Sequence, residues 1–181
     1  MAIAQVRRLG ELAVPGAVVG MAAGFVAGAL ALVVGQPPGW AMVTALTLGV
    51  PLAVLGGIYG VLVGSGKVRI GVFAPAALFW FVGFPLARLA HEVLSGWILG
   101  GAPGWPSDLL GFLAYQAMVS VGWAIGFLWL HERIAPGWMR RVRAGNPAAA
   151  ALFERYVVHA ASLAEARERR RSRHPSRAGK A

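Results

Sequence analysis

Three ionisable side chains, Arg88, His91 and Glu92, stand within a stretch of the chain that is otherwise apolar. In a helix their i, i+3, i+4 spacing places all three on one face, where Arg88 is able to pair with Glu92. Because an ionisable group inside a membrane is costly, its presence there indicates a functional site by default. We predict Glu92 as a general acid that exchanges protons, Arg88 as its counter-charge or as a ligand for an anionic group, and His91 as a relay.

The depth of these three residues decides between two interpretations. Counting the helix from Ile70 places them near the outer interface of a membrane, whereas counting from Ala77 places them in the middle of it. At the interface they would form a snorkelling ion pair that ends the helix and has no further role. The sequence leaves both interpretations open.

Other polar and aromatic side chains occur at positions that bring them towards this group. Gln116 lies about two turns below the outer end of the last apolar stretch, next to Tyr115, at a depth suited to contact with Glu92. An isolated glutamine between membrane helices is also commonly a structural hydrogen-bonding group. The aromatic side chains expected to line an apolar substrate pocket beside Glu92 are Trp80, Phe81, Phe84 and Trp97.

The sequence predicts no metal site and no cofactor. It contains no cysteine, which excludes thiolate ligands. His91 and His131 fall in opposite halves of the membrane and cannot share one metal ion or haem. Walker loops, nucleophile elbows, dinucleotide-binding fingerprints and zincin motifs are missing from the sequence.

Glycines recur every four residues in the first two apolar stretches, and this spacing places each set near one face of a helix. In lipid, glycine lets two helix backbones approach closely, and close packing drives helix association. We predict that these faces pack against each other within a hairpin; a seam between copies of the chain and a ligand groove are the alternatives. The glycines are Gly16, Gly20, Gly24 and Gly28 in the first stretch and Gly56, Gly60 and Gly64 in the second.

The elements that must position these residues are membrane helices. Of the 181 residues, 57% are hydrophobic and only 13% are charged, whereas soluble domains carry about 25% charged residues. We predict an all-α polytopic membrane protein in which a cytoplasmic N-terminus, residues 1–11, precedes a four-helix transmembrane domain, residues 12–130. Its spans are residues 12–35, 40–63, 70–99 and 109–130, each long enough to cross about 30 Å of hydrocarbon. Short connectors join them into two antiparallel hairpins.

A basic region follows the last predicted span. Residues 131–172 are predicted to form a juxtamembrane stretch and then a cytoplasmic amphipathic helix that begins near Asn146-Pro147, and residues 173–181 are predicted to be disordered. Twelve of the 17 Lys and Arg residues lie after residue 130. These cations suit anionic lipid headgroups. An arginine run without a recognised module is not enough to predict nucleic-acid binding.

The distribution of basic residues predicts the orientation of the chain. Arg7, Arg8, Lys67, Arg69 and the C-terminal region fall on one side of a four-span bundle, and the other two connectors carry no Lys or Arg. The positive-inside rule then places both termini in the cytoplasm. The bias of the composition towards Ala, Gly and Arg is typical of a GC-rich bacterial genome, so we expect the bundle in a bacterial inner membrane.

Three functional hypotheses follow from this sequence. The first is a non-enzymatic transport or channel component or a subunit of a larger membrane complex, with a homo-oligomer as one form of it. The second is an intramembrane enzyme that acts on a lipid or isoprenoid with Glu92 as general acid. The third is a membrane scaffold or regulator that works through its basic tail.

Overall fold

A computed structural model of the protein describes residues 2–173. Within this range the elements of secondary structure are five helices and no strands, and the first four helices are long and apolar enough to cross a membrane. The all-α, four-span prediction is therefore confirmed, and the chain is a small integral membrane protein. The helices are α1 (Ala2–Val33), α2 (Pro38–Gly64), α3 (Phe73–Gly100), α4 (Leu109–Val142) and α5 (Pro147–Arg173).

The four spans form a ring in which each helix packs against the next, and α4 closes the ring against α1. We call the end with the connectors 34–37 and 101–108 the turn end. The opposite end, which carries the start of α1, the connector 65–72 and α5, is the basic end. The helix α5 packs mainly on α4 and also touches α1 and α2.

The helices extend beyond the predicted spans at the basic end. The helix α1 begins at Ala2 instead of residue 12, and α4 runs to Val142 instead of residue 130. The extension of α4 covers most of the basic juxtamembrane stretch predicted over 131–146. Its physical reason is that His131, Ala135 and Met139 continue the buried face of α4 at four-residue intervals.

The third span is one continuous helix, α3, which ends where Gly101 adopts a left-handed backbone with φ of 75°. The prediction of disorder covers residues 173–181; residue 173 is instead the last residue of α5, and residues 174–181 lie outside the described residues.

Glycine lets α1 and α2 approach backbone to backbone. A Cβ atom added to Gly16 would collide with the carbonyl oxygen of Gly56, and one added to Gly20 would collide with the backbone of Leu52. A Cβ on Gly60 would come within 2.6 Å of the carbonyl oxygen of Leu12. The other four glycines of the two sets also face the partner helix: Gly24, Gly28, Gly56 and Gly64.

The first half of α5 is docked onto the basic end of the bundle. Asn146 is fully buried, accepts hydrogen bonds from the first turn of α5 and donates to the Arg8 carbonyl and the Glu11 carboxylate, each at 2.9 Å. Arg155 donates to the carbonyl groups of Val63 and Gly64 at 3.0 and 2.9 Å, which caps the end of α2. The apolar face of this half therefore packs on protein.

Candidate functional site

The polar side chains of α3 lie in the half of the bundle nearer the turn end. Helices α2 and α3 run antiparallel, with Thr47 nine residues after Pro38 and His91 nine residues before Gly100. At about 1.5 Å per residue, both lie about 14 Å from the turn end of helices that are about 40 Å long. A centred hydrocarbon layer of about 30 Å therefore encloses this level.

Arg88 and Glu92 form an ion pair along α3. The Arg88 Nη2 and Glu92 Oε1 atoms are 2.7 Å apart, and the two side chains are 23% and 36% exposed. The pairing that the sequence spacing allows is thus present. One carboxylate oxygen, Oε2, has no part in this contact, so Glu92 retains capacity to accept further hydrogen bonds.

His91 joins α3 to α2 through Thr47. The His91 Nδ1 and Thr47 Oγ1 atoms are 2.7 Å apart, and the Thr47 hydroxyl donates to the Val43 carbonyl at the same distance. Because a hydroxyl has a single proton, Nδ1 of His91 must be the donor in this arrangement. The ring is therefore held with a hydrogen on Nδ1 and a lone pair on Nε2 when it is neutral.

A pocket of about 300 Å³ opens beside Glu92 at the turn end. Besides Glu92, its walls include Trp40 from the first turn of α2 and Ser95, three residues further along α3. The connector after α3 folds back to form one side, because Gly96 and Gly104 meet backbone to backbone and Gly104 N–H donates to the Val93 carbonyl. The pocket thus combines a carboxylate, a hydroxyl and an indole.

The other predicted site residues lie elsewhere. Trp80 is fully buried and Phe84 nearly so, and both belong to the core. Trp97 and Tyr115 are about 60% exposed on the outside of the bundle, and Phe81 is exposed as well. Gln116 is buried on α4 but does not line the pocket beside Glu92.

Three residues of this site were missed at the level of the sequence: Trp40, Thr47 and Ser95. A signal for Thr47 does exist. In an antiparallel hairpin, residues at equal distances from the same end of the bundle lie at equal depth, and Thr47 and His91 are matched in this way by their distance from the turn ends of α2 and α3.

Aromatic rings fill the bundle between this cluster and the basic end. Trp80, about 30 Å from the turn end along α3, contacts Phe127 with ring centroids 4.6 Å apart and Trp123 at 5.3 Å. Tyr59 packs edge-on against Phe127 at 5.2 Å, and the ring of His131 contacts both of them, at 5.4 Å from Tyr59 and 5.6 Å from Phe127. Trp80, Tyr59 and Phe127 are at most 1% exposed, so the interior is packed here.

A second pocket, of about 360 Å³, lies between α4 and α5 at the basic end and includes Glu132, Tyr156 and His159. Glu132 accepts a hydrogen bond from the Gly71 N–H, which ties the connector 65–72 to α4. Burial raises the pKa of the Tyr156 phenol, and the negative charge of Glu132 adds to this effect. Tyr156 therefore remains neutral at physiological pH, and its buried hydroxyl has no hydrogen-bond partner among the described residues.

Within residues 2–173, no three His, Asp or Glu side chains lie close enough together to bind a metal ion. The site that the geometry supports is therefore the cluster of Thr47, Arg88, His91 and Glu92 with the pocket next to it. No known protein-family model matches the chain, and no curated protein or solved structure matches it either.

Proposed function

We propose that the protein is a non-catalytic component of a larger membrane complex of the transport type, and that its own part is to bind a polar ligand at the turn end. One contrast carries this proposal: the pocket beside Glu92 is open and its walls include the polar residues Glu92 and Ser95, whereas the aromatic core around Trp80 closes the same bundle further along. Residues 2–173 of a single copy thus offer a pocket for a ligand but no polar path across the membrane.

The distribution of basic residues supports the direction from which the ligand arrives. Arg7, Arg8, Lys67 and Arg69 lie at the basic end together with the cations of residues 133–170, and residues 34–40 and 100–108 contain no Lys or Arg. Under the positive-inside rule the basic end faces the cytoplasm of a bacterial cell, and the pocket opens to the outer side of the inner membrane.

An apolar groove between the lipid-facing sides of α1 and α2 supports the subunit role. It has a volume of about 730 Å³, and small residues such as Ala13, Ala17, Ala53 and Gly57 line it. Small residues allow a further transmembrane helix to approach closely. We assign the groove to a transmembrane helix of a partner subunit; a second copy of this chain is the alternative that the mass of the complex will distinguish.

The enzyme hypothesis gains less support from this geometry. None of the aromatic side chains expected around Glu92 lines its pocket, and the indole that does, Trp40, lies at the membrane surface end of α2. The scaffold hypothesis keeps one supporting observation: residues 161–170 of α5 are exposed beyond the docked half. Their arginines suit contact with anionic lipid.

Two measurements test the proposal. Purified protein in liposomes should show no proton or potassium flux above that of protein-free vesicles. Native-membrane extraction should yield a complex larger than the 19.0 kDa chain, and Ala53→Leu, which fills the groove, should dissociate it. Gly122→Leu is the matched control, because a Cβ at Gly122 meets no atom within 4 Å. Flux through the wild-type protein alone, or a complex unaffected by Ala53→Leu, would overturn the proposal.

A further inference from the structure

The pocket beside Glu92 presents hydrogen-bond acceptors. The Glu92 carboxylate uses Oε1 for Arg88, which leaves Oε2 to accept from a ligand. The Ser95 hydroxyl donates its only proton to the His91 carbonyl at 2.6 Å, with the Glu92 carbonyl at 3.2 Å. Towards a ligand, Ser95 therefore has only lone pairs to contribute.

The end of α3 adds further acceptors to the same pocket. Five of the residues that line it belong to the last turns of this helix. The last four carbonyl groups of a helix lack intrahelical partners, and of these the Trp97 carbonyl is used by the Gly101 N–H. The C-terminal end of a helix carries a partial negative charge and favours cations. The last turn of α3 contains no basic residue that would neutralise this partial charge.

An aromatic side chain in the pocket wall and the charges around the pocket also favour a cationic ligand. Trp40, which is 49% exposed, lines the pocket opposite α3, and the face of an indole attracts cations. The connectors at the turn end contain one charged residue, Asp108, whose carboxylate caps the start of α4. The nearest cation on α3, Arg88, is already paired with Glu92.

We propose that this pocket binds a small organic ammonium ion, a primary or secondary amine with a short apolar body, from the turn end. The ammonium group donates to Glu92 Oε2 and to the Ser95 hydroxyl, and the apolar body lies against Trp40. The volume of about 300 Å³ suits a small molecule. A bare metal ion is disfavoured, because no three carboxylate or imidazole ligands converge within residues 2–173. This inference rests on the proposed function, since it names the ligand class of the same pocket.

Calorimetric titration of the protein in lipid nanodiscs tests this assignment, with butylammonium as the probe and butyrate and butanol as comparisons. Butylammonium should bind saturably, and Glu92→Gln should weaken its binding at least tenfold. Trp40→Leu should weaken it by a smaller factor. The matched control is Trp105→Leu, which removes an exposed indole of the same end that lies outside the pocket and should leave the affinity unchanged.

Arg88→Gln gives a result of the opposite sign. Removing the counter-charge frees the second oxygen of Glu92, so butylammonium should bind at least threefold more tightly than to the wild-type protein. A variant that merely misfolds would bind more weakly, and therefore tighter binding cannot arise from damage to the bundle. Weaker or unchanged binding by an Arg88→Gln protein that keeps the helicity and detergent stability of the wild type would overturn the assignment.

The outcomes separate this inference from the proposed function. If butyrate or butanol binds in place of butylammonium and Glu92→Gln abolishes that binding, the pocket binds a polar ligand but the ammonium assignment is wrong. If none of the three probes binds saturably, the ammonium assignment is also wrong. Ion flux through the wild-type protein alone would overturn the proposed function even where butylammonium binds.

Discussion

The two helix pairs of this bundle are held together in opposite ways. The pair α1 and α2 packs backbone against backbone, with glycines such as Gly16 and Gly56 at the contact. The pair α3 and α4 packs through large aromatic rings, among them Trp80 and Trp123, and also carries the ion pair of the candidate site. Small residues leave no room for adjustment, whereas large side chains and their polar neighbours can be placed at many positions. The close contact between α1 and α2 therefore leaves no space for a ligand between their backbones, and the candidate site lies on α3 where it meets the turn end of α2.

The largest expected effect tests the scaffold. Gly20→Leu places a Cβ atom against the backbone of Leu52, which cannot move aside as a flexible side chain can. We expect loss of the folded bundle, beyond the roughly 4–5 kcal/mol that marks the extreme of single substitutions. Unfolding by denaturing detergent, followed by circular dichroism and gel mobility, measures this effect. Gly122→Leu, where nothing lies within 4 Å, should change stability by less than about 0.5 kcal/mol.

The glycine contact was predictable because it depends on local sequence only. Spacing by four residues fixes a helix face, and the short connector after residue 33 forces the two faces together. The candidate site was half predictable for the same reason: Arg88 and Glu92 are four residues apart on one helix. Thr47 lies 44 residues from His91 in the chain, and its contact depends on how α2 and α3 are matched in depth.

The placement of the aromatic residues could not be read from spacing. Trp80, Phe81 and Phe84 are all apolar and all belong to one helix, so a lipid-facing position and a core position look alike in sequence. The structure buries Trp80 and Phe84 and exposes Phe81. What separates them is contact with Phe127 and Trp123 on α4, which no pattern within α3 records.

The second prediction concerns the aromatic core. Trp80→Ala removes a fully buried ring that contacts Phe79, Trp123 and Phe127. The cavity should lower the free energy of unfolding by about 3 kcal/mol. This is less than the effect of Gly20→Leu, because the cavity only weakens the packing of two helices, whereas the clash prevents two helices from packing at all. The same detergent titration measures the loss. If Trp97→Ala, which truncates a ring that is 61% exposed, is equally costly, then burial of Trp80 is not what holds this pair together.

The third prediction isolates the polar link between α2 and α3. A double-mutant cycle with Thr47→Val and His91→Leu should give a coupling energy of about 0.6 kcal/mol, with about 1.7 as the upper limit, as for other hydrogen bonds between membrane helices. The effect is small because each group finds other partners when the helices separate. A coupling of zero would show that Thr47 and His91 do not interact, and the tautomer argument for His91 would fail with it.

The smallest effect is expected at Tyr156, where α5 meets the rest of the molecule. Tyr156 is only 7% exposed, but its hydroxyl has no hydrogen-bond partner among the described residues. Tyr156→Phe should therefore leave the docking of α5 unchanged or slightly stronger at neutral pH. The chain contains no cysteine, so the rate of thiol labelling in the Ala149→Cys background, where residue 149 is fully buried, reports the undocking of α5.

At alkaline pH, ionisation of the Tyr156 hydroxyl should weaken the docking of α5. Because burial raises the pKa of Tyr156 in the folded state above the ordinary value of 10.0, docked α5 holds this proton more tightly than undocked α5. The docking free energy is then fully present below about pH 10 and is lost as the pH rises through the folded pKa. Labelling at Ala149→Cys should accelerate above about pH 10 in the protein with Tyr156, relative to Tyr156→Phe. Equal rates in the two proteins across this range would mean that the Tyr156 hydroxyl is not desolvated by the contact between α5 and α4.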